Sequence, residues 1–397
     1  MKIAVLFDTY LNNRMGLFNA IVNRTKSLVD VSDCTIHMYC LQARPSGLNR
    51  LIRRLPNQSY DDILYTEGLT FHIMWYKRYL LDDVLANKFH RPPFLFRRWA
   101  KRNISVFSSY DIVTAHSTRC GEMARLINKK YGIPYFVTWH GTDIHTTPFL
   151  SSSLRCYVTT ILQAAACNFF VSEALRDIAY SFATNFKSEI LYNGVSDSFM
   201  RFDEKKREEL RGRYGVGSNK VVAFVGNVIP VKNVMILPQI FKEVKKEIPN
   251  HLLFWIVGDG LHKAIVEEEM KKRNVECVFL GNRPLSEMPD LMNCIDVLVL
   301  PSKNESFGLV LVEAMACGAK AVGSRVGGIP EVIGEENTFE IDDEFVQNIS
   351  RRIVYLLMNE VRQEVKKEFN WKETALKEYR IYCGFLQNRE KDEQVII

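Results

Sequence analysis

Val297-Leu298-Val299-Leu300-Pro301-Ser302-Lys303-Asn304-Glu305-Ser306-Phe307-Gly308-Leu309-Val310-Leu311-Val312-Glu313-Ala314-Met315-Ala316-Cys317-Gly318 is the stretch on which the fold is read. Four apolar residues ended by a proline spell a buried strand, a polar loop follows, and residues 307–317 spell an apolar helix. A strand apolar on both faces that runs into a helix belongs to a parallel sheet covered on both sides. Gly308 lets the backbone come close to a ligand, and the free N–H groups of the first helical turn form an anion site. Glu305 stands just before the turn. Glu313 lies eight residues later, about two turns into the element, where it can point back toward the same loop. A carboxylate inside an apolar helix costs free energy unless it is hydrogen-bonded, and the hydroxyls of a sugar or ribose would meet that need. The plainer alternative is a capping acid followed by an unrelated glutamate.

The same rhythm extends outward on both sides. In the second half, strands are predicted at 220–225, 252–257, 277–280, 297–300 and 321–323, with helices at 234–247, 261–273, 285–293 and 307–317 between them. In the first half, strands are predicted at 3–7, 34–40, 111–115 and 135–139, with helices at 17–29 and 120–131. Residues 44–105, rich in arginine and aromatic residues and broken by Pro92-Pro93, fit least well and read as an elaboration. A boundary falls near Tyr192-Asn193-Gly194-Val195, followed by a charged linker helix at 203–213. The expectation is an α/β protein of two doubly wound domains with a cleft between them, binding ligands at the carboxyl ends of the strands.

Composition agrees with that class. The chain has 397 residues, 47% of them hydrophobic and 25% charged, which excludes intrinsic disorder, collagen and a disulfide miniprotein. No apolar run approaches the ~18 residues of a membrane-spanning helix. Residues 1–8 read as a buried strand and not as a secretory signal. Nine cysteines without a CxxC pair suit reduced thiols in a cytoplasmic protein, and no metal site is expected. Net charge is +6, unevenly spread: residues 1–195 hold 23 basic and 14 acidic residues, whereas the remainder is slightly acidic. The first half therefore faces something anionic, unless the asymmetry belongs only to a solvated surface. Residues 89–102 interleave cations with large apolar groups. On a surface they would meet an anionic membrane interface; alternatively the aromatics are core and the cations solvated. No nucleic-acid module accompanies them, so nucleic acid is not an expected partner.

Two further constellations carry chemistry. In Phe224-Val225-Gly226-Asn227-Val228-Ile229-Pro230-Val231-Lys232-Asn233, a strand ends in glycine and a lysine opens the next helix, placed to neutralise a diphosphate leaving group. In Thr138-Trp139-His140-Gly141-Thr142-Asp143, a strand delivers an imidazole to its carboxyl end, able to bond a sugar hydroxyl or, protonated, to stabilise charge. Asp143 is either a helix cap, an orienter of His140 or a group for an acceptor. Gly258-Asp259-Gly260 begins a GxG, but Lys263 breaks the dinucleotide fingerprint.

Glu305 and Glu313 resemble the E-x7-E signature of the GT-B glycosyltransferases of family 4, a large retaining family. The resemblance is strong over 220–335, patchy over 1–200, and fades at 40–110 and after 340. It implies two Rossmann-like domains: 1–195 for the acceptor, with 44–105 as elaboration, 196–368 for the nucleotide sugar, and 369–397 packing back on the first. By the same resemblance Glu305 contacts the donor-sugar hydroxyls, Glu313 the ribose, and the backbone of Ser306, Phe307, Gly308 and Leu309 cradles the diphosphate. Lys232 matches the lysine of a G-R-x-x-x-x-K-G pattern after Gly226. Asn227 replaces its arginine, and Arg283 is the candidate substitute. Val278 to Arg283, with Gly281, would flank the nucleobase. Gly16 is the one residue of a phosphate-facing glycine pair retained in the first loop, where Arg14 is a second phosphate candidate. His140 matches the H-G-x-D stretch that approaches donor and acceptor. The implied activity is retaining, metal-independent transfer from a nucleotide diphosphate sugar, UDP-linked before GDP-linked, to a saccharide or lipid-linked saccharide, without a cofactor. The implied setting is bacterial cell-surface polysaccharide synthesis in the cytoplasm, at the inner face of the membrane. An epimerase or phosphorylase on the same fold, or a non-catalytic sugar-nucleotide-binding subunit, is the alternative.

Overall fold

The computed structural model describes residues 1–9, 16–47, 62–66 and 68–395. The loop carrying Arg14 lies outside the described residues. The chain divides into two compact units, one formed by Met1–Asn193 with Trp371–Ile397, the other by Gly194–Asn370.

The first unit is built on an eight-stranded sheet. Its strands are β1 (Lys2–Phe7), β2 (Thr35–Pro45), β3 (Ile63–Thr66), β4 (Leu69–Arg78), β5 (Ile112–Ala115), β6 (Tyr135–Trp139), β7 (Cys167–Phe170) and β8 (Ser188–Ile190). They lie in the order β3-β4-β2-β1-β5-β6-β7-β8, parallel except for β3. Val5, Phe7, Ile112, Phe136 and Phe169 share one core with Phe18, Ile21 and Leu28 of the helix Gly16–Asp30. The terminal helix Trp371–Val395 closes that core: Tyr382 is fully buried in it, and Arg24 donates through Nε to Glu378 at 2.6 Å. Phe369 and Asn370 stay with the second unit, Phe369 against the ring of Phe307 and Asn370 bridged to Val195.

Residues 44–105 are part of the sheet more than an addition to it. They supply the end of β2, all of β3 and β4, and the helices Leu80–Asn87 and Phe94–Asn103. β4 escapes sequence reading because threonine, histidine and lysine interrupt its apolar residues, as its mixed burial reflects. β7 escapes it because asparagine interrupts its four residues, and β8 because it is three residues long with two of them polar.

The second unit holds β9 (Lys220–Val225), β10 (Leu252–Val257), β11 (Cys277–Gly281), β12 (Val297–Leu300), β13 (Lys320–Ser324) and β14 (Thr338–Phe339), all parallel, in the order β11-β10-β9-β12-β13-β14. The chain builds outward from β9 to β11, then returns to place β12 on the other side of β9. The loops after β9 and β12 therefore diverge over a crevice, the point at which open parallel sheets bind ligands. In the first unit β1 and β5 stand in the same relation. The predicted linker helix is Glu204–Arg213, capped by Asp203, whose carboxylate accepts from Lys206 N–H at 2.8 Å.

Candidate active site

The switch point of the second sheet brings together residues far apart in sequence. After β9 the chain makes a short turn, Pro230–Lys232, ended by Asn233 in the left-handed region. After β12 the loop folds onto that turn, with Lys303 N–H donating to the Val231 carbonyl at 2.8 Å. This packing sets the Lys232 ammonium on the Glu305 carboxylate as an ion pair, with both side chains about a fifth exposed. A third segment holds the loop from behind: Gly328 N–H donates to the Glu305 carbonyl at 3.1 Å. Gly327 has φ +52°, and a Cβ there would lie 1.8 Å from that same oxygen, so only glycine fits.

Gly308, at φ +91°, ends the loop and opens the helix Leu309–Ala316. Leu309 is the first helical residue and Ser306 lies half-buried in the loop before it. Phe307 turns inward, its ring edge-on to Phe369 at 5.3 Å, so it anchors the loop and offers a ligand only its backbone. The helix starts two residues later than the sequence suggests, leaving Glu313 little more than one turn inside it. Burial pushes the Glu313 carboxyl up to about 8, and no described residue hydrogen-bonds or pairs with it.

The remaining donor-side candidates lie in the loops after β9 and β11, on β11 itself and at the start of the first helix. Gly226 ends β9 with φ +148°, and Asn227 follows, its carbonyl accepting from Ile229 N–H at 3.0 Å. Val278 lies half-exposed on β11, and the Gly281 carbonyl accepts from Gly258 N–H at 2.8 Å. Arg283 is held at the end of that edge strand, donating to the Leu280 carbonyl at 3.0 Å and pairing with Glu287 at 3.5 Å. Two strand spacings, about 10 Å, separate β11 from β9, and no described contact joins Arg283 to Lys232 or Glu305. Gly16 opens the first helix of the other unit, with open space where a Cβ would be.

His140 ends β6 in the first unit. Its Nε2 lies 3.0 Å from Nδ1 of His116, which follows the neighbouring β5, and the two rings stack at 5.3 Å. Burial, with Arg24 adding to it, pushes His140 down to about 3, and burial lowers His116 well below the usual range. Both shifts favour neutral rings near pH 7 in the free protein. Among the described residues Asp143 makes no hydrogen bond to either histidine. Its Oδ1 accepts from Thr118 N–H at 3.0 Å and from the Thr118 hydroxyl, fastening the first turn of the helix Thr118–Tyr131. Sequence reading passed over His116, although it follows a strand just as His140 does.

One nitrogen of each histidine is committed to the other, so their tautomers are coupled: whichever of the two nitrogens carries the shared proton donates, and the other accepts. Replacing His116 with Phe is expected to break this coupling and change the tautomer balance of His140, visible as shifted ring-nitrogen resonances in ¹⁵N NMR. Unchanged shifts would mean that His116 does not position that ring.

Comparison with known proteins follows the same lines. The glycosyl transferases group 1 profile matches residues 206–378, and the glycosyltransferase family 4 profile matches residues 46–199. N-acetyl-alpha-D-glucosaminyl L-malate synthase of Bacillus anthracis is 28% identical over 72% of this chain and 76% of its own length. An uncharacterized glycosyltransferase of Methanocaldococcus jannaschii is 25% identical over 80% and 90%. Among solved structures, Anabaena HepE in complex with UDP superposes with a TM-score of 0.69 at 17% identity, over 99% of this chain and all of that one. Sucrose-phosphate synthase from Thermosynechococcus elongatus does so with a TM-score of 0.73 at 15% identity, over 98% and 99%. Two parallel α/β domains, the paired loops of the second sheet and these matches together identify the chain as a GT-B glycosyltransferase that belongs to family 4.

Proposed function

We propose that this glycosyltransferase moves a hexose-like unit from a nucleotide diphosphate sugar to a hydroxyl of a saccharide or lipid-linked saccharide, with retention at the anomeric carbon and without a divalent ion. The Lys232–Glu305 pair at the switch point of the second sheet carries the reading. An arriving diphosphate takes over the ammonium, and the N–H groups that open the helix Leu309–Ala316 add to the anion site. Glu305, released from its partner, accepts hydrogen bonds from the donor-sugar hydroxyls, and Glu313 accepts them from the ribose. As the bond from the anomeric carbon to the phosphate oxygen breaks, charge grows on the leaving diphosphate, where Lys232 stabilises it. The acceptor oxygen bonds to the anomeric carbon on the face the phosphate leaves, and its proton passes to that phosphate. His140 serves as a neutral hydrogen-bonding group for a sugar hydroxyl.

A uridine donor is favoured because Anabaena HepE, a relative in fold, was solved with UDP and with UDP-glucose. The cell-surface setting draws on a similar protein, the "putative teichuronic acid biosynthesis glycosyltransferase TuaC" of Bacillus subtilis, 24% identical over 61% of this chain and 60% of its own. Among the described residues no helix is long and apolar enough to cross a membrane. Peripheral contact at the cytoplasmic face is assigned to the surface where Phe89 and Phe94 are exposed beside Lys88, Arg91, Arg98, Lys101 and Arg102.

The test incubates purified protein with labelled UDP- and GDP-sugars, with and without saccharide acceptors, in the presence of EDTA, and reads the product anomer by NMR. Acceptor-dependent release of UDP with an α-linked product from an α-linked donor is expected. An inverted product, loss of activity with EDTA, or isomerised donor without acceptor overturns the reading.

Glu313 adds a pH signature. Its carboxyl, near 8 in the free protein, accepts from both ribose hydroxyls most strongly when ionised, so nucleotide binding that favours the ionised form releases protons near pH 7 and tightens as pH rises toward 8. Because the folded value is raised, the free protein loses stability as pH climbs from the ordinary carboxylate range through 8. Glu313→Gln is expected to abolish both effects. Calorimetry of UDP binding in buffers of different ionisation enthalpy measures the proton release, and an unchanged release in the variant rejects the assignment.

A further inference from the structure

At the switch point of the first sheet lies a second, half-open polar site. A cavity of about 160 Å³ opens at the carboxyl ends of β1, β2 and β4, beneath the helices Leu80–Asn87 and Phe94–Asn103. Asp8 follows β1 and Arg119 follows β5, and they meet across the crevice, Arg119 Nη1 donating to Asp8 Oδ2 at 2.7 Å. Arg78, at the end of β4, donates to the buried Asp83 at 2.5 Å. Asp82 has no cationic partner among the described ion pairs, and accepts from Leu95 N–H at 3.4 Å. Gln42 is 1% exposed. Its Nε2 donates to the Thr9 carbonyl at 2.8 Å, while its Oε1 is buried without a partner. Arg119 Nε is likewise buried and unpartnered, its guanidinium over the rings of Tyr76 and Phe96.

These groups differ from the Lys232–Glu305 site in one decisive respect. Each arginine of the cavity already holds a carboxylate, and Asp82 is left over, so among the described residues the lining carries one net negative charge. A phosphate or carboxylate entering it would find no spare cation and a repelling acid. A neutral polyol finds what it needs: an amide oxygen and a carboxylate to accept from its hydroxyls, a guanidinium N–H to donate to them, and aromatic rings at the wall. The volume suits one sugar ring rather than an extended chain.

We propose that this cavity binds an uncharged, hydroxyl-rich sugar ring of the acceptor and selects against anionic acceptors, with Gln42 and Asp82 as its specificity-determining residues. The proposal rests on the glycosyl-transfer reading only in calling the bound sugar an acceptor.

Saturation-transfer NMR on the full chain with UDP present tests it, using methyl glucoside, methyl galactoside and methyl mannoside against glucuronate and glucose 6-phosphate. At least one neutral glycoside is expected to bind, and both anionic sugars at least tenfold more weakly. Gln42→Met, which keeps the side-chain length and removes its polar atoms, is expected to weaken the neutral glycoside about tenfold. Asp82→Asn, a milder change at a half-buried position, weakens it and narrows the gap to glucuronate even if Gln42→Met does not fold. Preference for either anionic sugar, no binding of any neutral glycoside, or unchanged binding in both variants overturns the proposal. Its failure is separable from that of the reaction: transfer to an anionic acceptor alone sinks the cavity assignment and leaves the transferase, whereas glycoside binding without any transfer does the reverse.

Discussion

Lys232→Ala is expected to lower kcat for sugar transfer by about 10²–10³-fold, the effect of deleting one preorganised group aimed at developing charge. Two effects combine. The leaving diphosphate loses its cation, and Glu305, whose carboxylate Lys232 now neutralises, is left as a bare anion beside it. Donor KM should rise less than kcat falls, because the charge Lys232 meets grows as the bond breaks. Lys232→Arg should restore only part of the rate, since a planar fork does not reproduce a flexible point charge on a short turn. Glu305→Gln lowers the rate by itself, but adding it to Lys232→Ala should cost much less than the two losses multiplied, because the residues act as a pair. Because both side chains are about four-fifths buried, Lys232→Ala also lowers the melting temperature, and the rates are compared where both proteins remain folded. Steady-state kinetics with any donor that the native protein turns over decides the matter. A Lys232→Ala protein within tenfold of native kcat would remove Lys232 from the chemistry.

The largest expected effect of a single added methyl group is at Gly327. Alanine there carries two penalties. Its backbone must hold φ +52°, which costs about 1 kcal/mol for a non-glycine residue, and its Cβ would lie 1.8 Å from the Glu305 carbonyl oxygen. The obstructing atom belongs to the backbone and cannot swing aside as a side chain would. Either the 326–328 turn or the Glu305 loop must move, breaking the Gly328 N–H to Glu305 carbonyl bond. Together these should cost about 3 kcal/mol or more and lower the melting temperature on the order of 10 °C. Activity should fall beyond what stability explains, since the displaced loop carries Glu305. Gly212→Ala is the control: in the helix Glu204–Arg213, with nothing near its Cβ position, it should leave stability unchanged or raise it by up to about 1 kcal/mol. Equal melting temperatures for the two variants would show that the clasp on Glu305 does not hold the loop.

The contrast between those two glycines marks where local reading stops. Residues 220–225, 252–257 and 297–300 are legible as strands because both faces of a central parallel strand are buried, and continuous apolar runs record that. β4 is not legible, since its apolar residues are interrupted by polar ones. Lys232, Glu305 and His140 were each legible as polar residues in loops that end strands. Nothing local joins Lys232 to Glu305 across the residues between them; the insertion of β12 beside β9 does, by bringing two diverging loops to one crevice. The same cause gives His140 its partner, because β5 and β6 are neighbours. Charge states were decided at that level too. A glutamate and a histidine titrate in the ordinary range in an open chain, and only packing strips away the water that moves Glu313 up to about 8 and His140 down to about 3. Sequence alone determined which segments become strands and which loops carry reactive groups, since burial of apolar side chains is written residue by residue. Tertiary structure decided which groups meet and in what protonation state, because strand order and desolvation are properties of the assembled sheet.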